Sequence, residues 1–445
     1  MAGNNLNAQE EPFRLTLAQA REYALQHNKK LLNDRDQSVS SKEMVRESIA
    51  QGLPQINGTL DYMTYFNYEF EFSMGGGSAE PDIDYTLLDA GDLQVLSAIG
   101  QMFSSEPIIM DDQFSGNIQV SQLIFSGQYI AGIQAAKIAR RLADQSVVAS
   151  ELDIKENVTN SYFVILTTEQ TLLILAENLD NLNEIQKHTQ NLYMAGVAEE
   201  TDVDQLKITV SQLKNTQKSL ERMNQLNYNM LKFQLGVAPD ANIVLADDLE
   251  RVMEFIDSEA ALSTDYDITR NINYTLVESQ VELNEKLLSI QNMSYLPTVA
   301  GYYNYTRKFI TTAFDLTPNH LAGFNVSVPI FSGGMRRAQV AQAKIDLNIA
   351  RRNREIVKDQ LETLQRQLLF NYQNALENFN TQKENVAIAG RVYKSIQNKY
   401  QQGLASSLDL TQANSNYLNA ENNYMSAVLT LLQAQISLDK LYNKL

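Results

Sequence analysis

Val326-Ser327-Val328-Pro329-Ile330-Phe331-Ser332-Gly333-Gly334 repeats an earlier phrase of the chain, Ile124-Phe125-Ser126-Gly127. The repetition is not isolated. Leu53-Pro54-Gln55-Ile56-Asn57-Gly58 returns as Leu296-Pro297-Thr298-Val299-Ala300-Gly301. Gly196-Val197-Ala198, followed by Thr201-Asp202-Val203, returns as Gly403-Leu404-Ala405, followed by Leu408-Asp409-Leu410. A period of roughly 200 residues, marked in the same order each time, is one structural unit made twice. Pro54 and Pro297 stand 243 apart, Gly127 and Gly333 206, and Gly196 and Gly403 207. The halves therefore hold register except between the Leu-Pro and Phe-Ser-Gly marks. There the first half carries 37 extra residues, 243 less 206. The excess falls near Met74–Pro107, a hairpin loop in which Leu87–Phe103 is apolar enough for a short helix. Before the Phe-Ser-Gly mark the halves depart, since Leu123 holds the place of Pro329 in the first half.

After each Phe-Ser-Gly mark the chain reads as a very long helix. Between Ile133 and Ala195 there is neither glycine nor proline, a run of about 63 residues or roughly 95 Å of helix. The matching run from Met335 to Gln402 is broken only by Gly390. Shorter glycine- and proline-free runs cover Phe13–Gln51, Val197–Leu235, Leu262–Leu296 and Leu404–Leu445. Leu368, Ala375, Gln382, Ala389 and Ile396 step by seven, and Tyr372, Phe379, Val386, Tyr393 and Tyr400 form a second row. Alternating steps of four and three keep one seam against a neighbouring helix.

The segments before the marks read differently. Ile56–Phe72 carries Tyr62, Tyr65, Phe66, Tyr68, Phe70 and Phe72, with alternation through Tyr68-Glu69-Phe70-Glu71-Phe72. Its counterpart holds Tyr302, Tyr303, Tyr305 and Phe309, and partner strands follow at Phe114–Phe125 and Leu321–Phe331. Aromatic, alternating segments are strand-like. The glycine of each mark permits unusual backbone and the serine can cap the helix that follows. Four strands cannot close a barrel, for which about eight is the practical minimum. Open edges are a liability that pooling strands in an oligomer removes.

The expected organisation is a first repeat over 13–235, a linking segment over 236–267 and a second repeat over 268–445. The first repeat holds a helix, strands at about 54–72 and 112–126, a long helix over 128–195, a turn, and a helix over 201–235. The second holds a helix, strands at about 297–311 and 320–331, a long helix over 334–402, a turn, and a helix over 406–443.

Composition narrows the function. The 445 residues carry a net charge of −17 and no cysteine. Nucleic acid is excluded as a partner, because phosphate binding needs concentrated Lys and Arg. Disulfides and thiolate metal sites are excluded as well. No run approaches the roughly 18 apolar residues of a membrane-spanning helix. The start, Met1-Ala2-Gly3-Asn4-Asn5, carries no basic-then-apolar signal, and the remainder favours a mature exported chain whose signal peptide has been removed. His27, His188 and His320 do not meet in the repeat map, and no metalloprotease, nucleophile-elbow or phosphate-loop motif occurs. The expectation is a protein that is not an enzyme and binds no metal or cofactor.

Taken jointly, Val326–Gly334, the long helix after it, and Lys399-Tyr400-Gln401-Gln402-Gly403 leading to Asp409 resemble the TolC-type outer-membrane factors of efflux pumps and type I secretion systems. The resemblance runs from about Leu15 to Leu445. It implies a mainly α chain with membrane β structure. Three chains pool four strands each into a 12-stranded β-barrel in the outer membrane, continuous with a long periplasmic α-helical barrel. Tyrosine-rich strands suit that setting, since the ring is apolar and the hydroxyl is wet. The linking segment falls in the band around the middle of the helical barrel. The implied partners are outer-membrane lipid, a periplasmic adaptor and an inner-membrane transporter of the RND or ABC type. The implied function is a passive exit duct for small molecules or polypeptides; the rival from the residues is a soluble trimeric coiled-coil scaffold.

The same resemblance makes the turns at Gly196-Val197-Ala198 and Gly403-Leu404-Ala405 the periplasmic tip, where an adaptor docks and the pore shuts. Asp409 then matches an acid lining the aperture, three copies of which form a charged ring. Gln412 stands where the family has a second acid. Asp202 and Tyr400 match partners in a link that holds the turns closed, but the arginine of that link is Ala405 here. Read from residue chemistry alone, Asp202 and Asp409 sit in helix first turns, where the dipole favours an acid without any further role.

Overall fold

A computed structural model of the chain describes residues 13–66, 69–70, 88–102, 108–109, 112–254, 266–310 and 317–445. In chain order these form β1 (Phe13–Leu15), α1 (Leu17–His27), α2 (Lys29–Ala50), β2 (Gln55–Met63), β3 (Glu69–Phe70), α3 (Ala90–Met102), β4 (Ile108–Ile109) and β5 (Gln113–Ser126). There follow α4 (Gly127–Met194), α5 (Glu200–Leu235), β6 (Ile243–Leu245), α6 (Leu249–Met253), α7 (Ile272–Met293), β7 (Thr298–Lys308), β8 (His320–Ser327), α8 (Met335–Gln401) and α9 (Ser407–Leu441). The described residues divide into a helical unit, drawn from Met1–Val45, Gln134–Leu288 and Ala341–Leu445, and a sheet unit, drawn from Arg46–Ile133 and Ser289–Val340.

The long helices of the two halves match in the helical unit. Helices α4 and α8 have 68 and 67 residues, and α5 and α9 have 36 and 35. A helix of that size is roughly 100 Å long, so its stability rests on lateral packing of a continuous seam. The seam is the one the sevenfold spacing marks. Tyr372, Ala375 and Tyr393 are buried, and Leu368, Phe379, Gln382, Val386, Ala389, Ile396 and Tyr400 are half-buried, between exposed neighbours. Tyr372 and Ala375 pack with Leu431 and Leu438 of α9. A second core gathers Leu15 of β1, Tyr162 of α4, Leu231 of α5 and Val428 of α9. There β1 pairs in parallel with β6 from the linking segment, Phe13 opposite Ile243. The hydroxyl of the fully buried Tyr162 lies 3.0 Å from both Leu15 O and Asp247 Oδ2, tying the linking segment to α4.

The sheet unit holds four antiparallel strands in the order β2-β5-β7-β8. Each half supplies one hairpin, and β5 against β7 joins them, with Ile118 opposite Tyr305 and Val120 opposite Tyr303. Cross-strand register puts like with like. One face carries Ile56, Leu60 and Tyr62 over Val120, Gly116 and Phe114, continuing through Tyr303, Tyr305, Phe324 and Val326. The opposite face carries Asn57, Thr59 and Asp61 over Gln119, Asn117 and Ser115, continuing through Asn304 and Asn325. Both faces stay open to solvent: every residue of β2 is exposed. Among the described residues β2 and β8 have no neighbour on their outer edges.

Two strands end well before the sequence reading places their ends. The strand expected over 54–72 ends at Met63; Phe66 takes φ 52°, and among the described residues only Glu69–Phe70 resumes pairing, with Ile108–Ile109. Tyr68, Glu71 and Phe72, and most of the extra loop, lie outside the described residues. Within that loop the expected short helix is α3. The strand expected over 320–331 ends at Ser327, because Pro329 has no N–H to give a ladder. In the first half Leu123 stands there instead, and β5 runs to Ser126 and straight into α4. The Phe-Ser-Gly marks consequently divide their labour. Ser126 Oγ accepts the Tyr129 N–H at 3.3 Å as a cap, whereas Met335 N–H donates to the backbone carbonyl of Ser332 at 3.0 Å. Gly333 and Gly334 take φ 58° and 88°, a freedom that the first half does not use.

Candidate gate at the two helical turns

Both turns close with the same backbone device. Gly196 and Gly403 have φ 75° and 74°. Val197 N–H donates to Leu192 O at 2.9 Å and Gly196 N–H to Tyr193 O at 2.9 Å. Leu404 N–H donates to Lys399 O at 2.8 Å and Gly403 N–H to Tyr400 O at 2.9 Å. These paired bonds satisfy the last carbonyls of α4 and α8 and need a left-handed residue, which glycine supplies. Beyond them Val197 and Leu404 are 74% and 73% exposed, while Ala198 and Ala405 are half-buried.

The helices that leave the turns start alike. Asp202 and Asp409 are each the third residue of a first turn, and each reaches back to the residue before its helix. Glu199 N–H donates to Asp202 Oδ2 at 3.3 Å. Ser406 donates to Asp409 Oδ2 from its N–H at 3.0 Å and from its hydroxyl at 2.7 Å, and Ser406 Oγ accepts the Asp409 N–H at 3.1 Å. This reciprocal pairing is a capping box. The Ser406 hydroxyl, and after it the Ser406 N–H, hold the fully exposed Asp409 carboxyl below its ordinary value.

From there the equivalents diverge. The buried Ser407 donates its hydroxyl to Asp202 Oδ1 at 2.5 Å, tying the start of α9 to the start of α5. In the first turn Glu200 occupies the place of Ser407. A carboxylate has no proton to give, so no reciprocal bond reaches Asp409, which stays exposed. Tyr400 and Asp202 do not bond to each other. The Tyr400 hydroxyl lies 2.7 Å from Thr189 Oγ1, whose own proton goes to Ile185 O at 2.9 Å, so Tyr400 is the donor. Burial, assisted by the charge of Asp202, holds that hydroxyl above the usual phenol value. Gln412 is exposed and donates to Asn416 Oδ1 at 2.9 Å. It lies three residues beyond Asp409, on the same face of α9.

A third tie lies further along the helices. Asn178 Nδ2 donates to Asn414 Oδ1 at 2.7 Å. Both residues are buried, near a core formed by Leu179, Leu182, Leu206 and Leu410. Sequence reasoning placed Asp202, Tyr400, Asp409 and Gln412 at this end of the helices but did not find Ser407, Thr189, Asn178 or Asn414. The serine-to-acid spacing of Ser406 and Asp409 was a readable cap signal; the other partners have no local signature. Among the described residues no group of His, Asp or Glu is arranged to hold a metal ion. Nor is any helix among them long and apolar enough to cross a membrane.

A two-faced antiparallel sheet and two matched pairs of very long helices define an outer-membrane channel fold. The chain matches the outer membrane efflux protein family over residues 20–237 and 276–444 and belongs to it. Among curated proteins none matches by sequence. Solved structures share the fold at low identity. The outer membrane protein VceC of Vibrio cholerae is 17% identical with a TM-score of 0.72, over 96% of this chain and 95% of its own. The Campylobacter jejuni CmeC outer membrane channel is 14% identical, TM-score 0.72, over 96% and 85%. The Neisseria gonorrhoeae MtrE outer membrane channel, in its open state, is 15% identical, TM-score 0.70, over 96% and 88%. Family membership makes the chain an outer-membrane efflux component, an exit duct, and sets aside the soluble scaffold.

Proposed function

We propose that three copies of the chain complete the duct and that the turns form its gate. The observation that carries this is the sheet. Among the described residues it has four strands, one largely apolar face, one largely polar face, and two unpaired edges. Edge pairing between copies satisfies the free backbone groups that a lipid environment cannot. The apolar face then meets outer-membrane lipid and the polar face lines water. The helices extend into the periplasm. There the exposed Val197 and Leu404 beside Gly196 and Gly403 offer an adaptor an apolar landing surface, and an inner-membrane transporter of the RND or ABC type loads the duct through it. The duct performs no reaction and uses no cofactor. Asp409, with Gln412 one turn away, lines the aperture. Asp202 and Tyr400, through Ser407 and Thr189, hold each chain's own helices in the resting arrangement. Adaptor binding shifts the population toward the open state.

The mass of the purified protein in mild detergent, together with conductance in a planar bilayer, tests the reading. Three chains per particle and discrete, cation-preferring channels are expected. A monomer that conducts nothing overturns it.

A further inference from the structure

Helices α4, α5 and α9 do not close on one another along their whole length. They leave a cavity of about 400 Å³, within the size range of small-molecule sites. Ile174, Leu213, Leu220 and Leu418 supply apolar wall, and Asn414 and Glu421 supply polar groups. No Lys or Arg lines it. Asn414 and Glu421 are seven residues apart on α9, two helical turns or about 10 Å. Leu418 lies between them on the same face.

Both polar groups have unused capacity. Asn414 is 1% exposed. Its Oδ1 accepts from Asn178, but its Nδ2 has no acceptor among the described residues. The Oδ1 of Asn178 is likewise buried without a donor. Glu421 is half-buried and makes no ion pair among the described residues. Burial raises its carboxyl above the usual range while a hydrogen bond from Tyr417 opposes the rise. A carboxylate in such a place gains from an opposite charge more than one in water does.

We propose that this cavity is a binding site for a small amphipathic cation. The ligand carries an ammonium group at the Glu421 end and a hydroxyl or carbonyl oxygen at the Asn414 end. An apolar body about 10 Å long joins them. Once seated, it packs α9 against α4 and α5, and α9 begins at Ser407, whose hydroxyl bonds to Asp202. The site lies within one chain, between α4, α5 and α9, and its lining does not include Asp409 or Gln412.

Isothermal titration of the purified full-length protein with 4-(4-hydroxyphenyl)butylamine tests the assignment. Its phenol oxygen can accept from Asn414 while its ammonium meets Glu421. The neutral alcohol of the same skeleton is the control and needs no variant. The expected result is saturable binding of one amine per chain. The alcohol, and the amine on Glu421→Gln, bind about tenfold more weakly. Thr216→Trp, which fills the cavity, abolishes binding. Absence of saturable amine binding overturns the proposal. So does equal binding of amine and alcohol, or binding that Thr216→Trp leaves intact.

Discussion

Ser407 donates its hydroxyl to Asp202 across 205 residues of sequence, so the acid of the first turn is held by the helix that leaves the second. Among the described residues its counterpart Asp409 has no such partner and caps its own helix. The repeat thus carries one chemistry into two roles. One acid ties two helices of a chain together, and the other keeps its charge exposed.

Asp202→Ala and Ser407→Ala should each raise single-channel conductance in planar bilayers by loosening α9 against α5. Because the two residues act as one pair, the double variant should match the larger single effect and not their sum. Additive effects would show that the bond does not restrain the gate.

Asp409 should set cation preference, and its pH dependence has a defined sign. Its folded pKa is lowered, chiefly by Ser406, from an ordinary 3.8. Its charge, with any stability it contributes, is therefore complete above the unfolded value and lost only as pH falls through the lower folded one. Reversal potentials should remain cation-selective at about pH 4. Asp409→Asn should remove the preference at every pH, and Ser406→Ala should move its loss to higher pH. Unchanged selectivity in Asp409→Asn would remove this residue from the aperture.

The Asn178–Asn414 pair offers a test of buried polar satisfaction. Asn178→Leu strands a buried carboxamide and should cost about 1–3 kcal/mol, read as a lower midpoint in a thermal melt. Asn178→Leu with Asn414→Leu removes both polar groups and should recover much of that loss. A double variant less stable than the single would show that packing, not hydrogen bonding, dominates there.

Gly196, Gly403 and Gly236 share left-handed φ values of 75°, 74° and 77° but not surroundings. A Cβ at Gly196 or Gly403 meets open space, so alanine should cost only the backbone strain, about 1–2 kcal/mol. A Cβ at Gly236 falls 2.3 Å from the backbone oxygen of His27. Gly236→Ala should lower the melting midpoint well beyond either turn variant. Equal shifts at all three positions would contradict the close approach of α1 to the end of α5.

The chain's own order of residues settled the local features. Long runs without glycine or proline specified the helices, and the sevenfold spacing named the buried seam from Leu368 to Tyr400, because helix periodicity is written in consecutive residues. The turn glycines were equally plain, since a left-handed residue after a helix has few alternatives. The early end of β8 was not read, although Pro329 stood in the expected strand and lacks the N–H that a ladder needs. Folding in three dimensions settled what depends on how helices rotate about their axes and which strand lies beside which. The pairing of β5 with β7, the meeting of Ser407 with Asp202, the partnership of Thr189 with Tyr400, and the cavity beside Asn414 all belong there. Each joins residues that are far apart along the chain, and no local spacing encodes an angle between two packed helices.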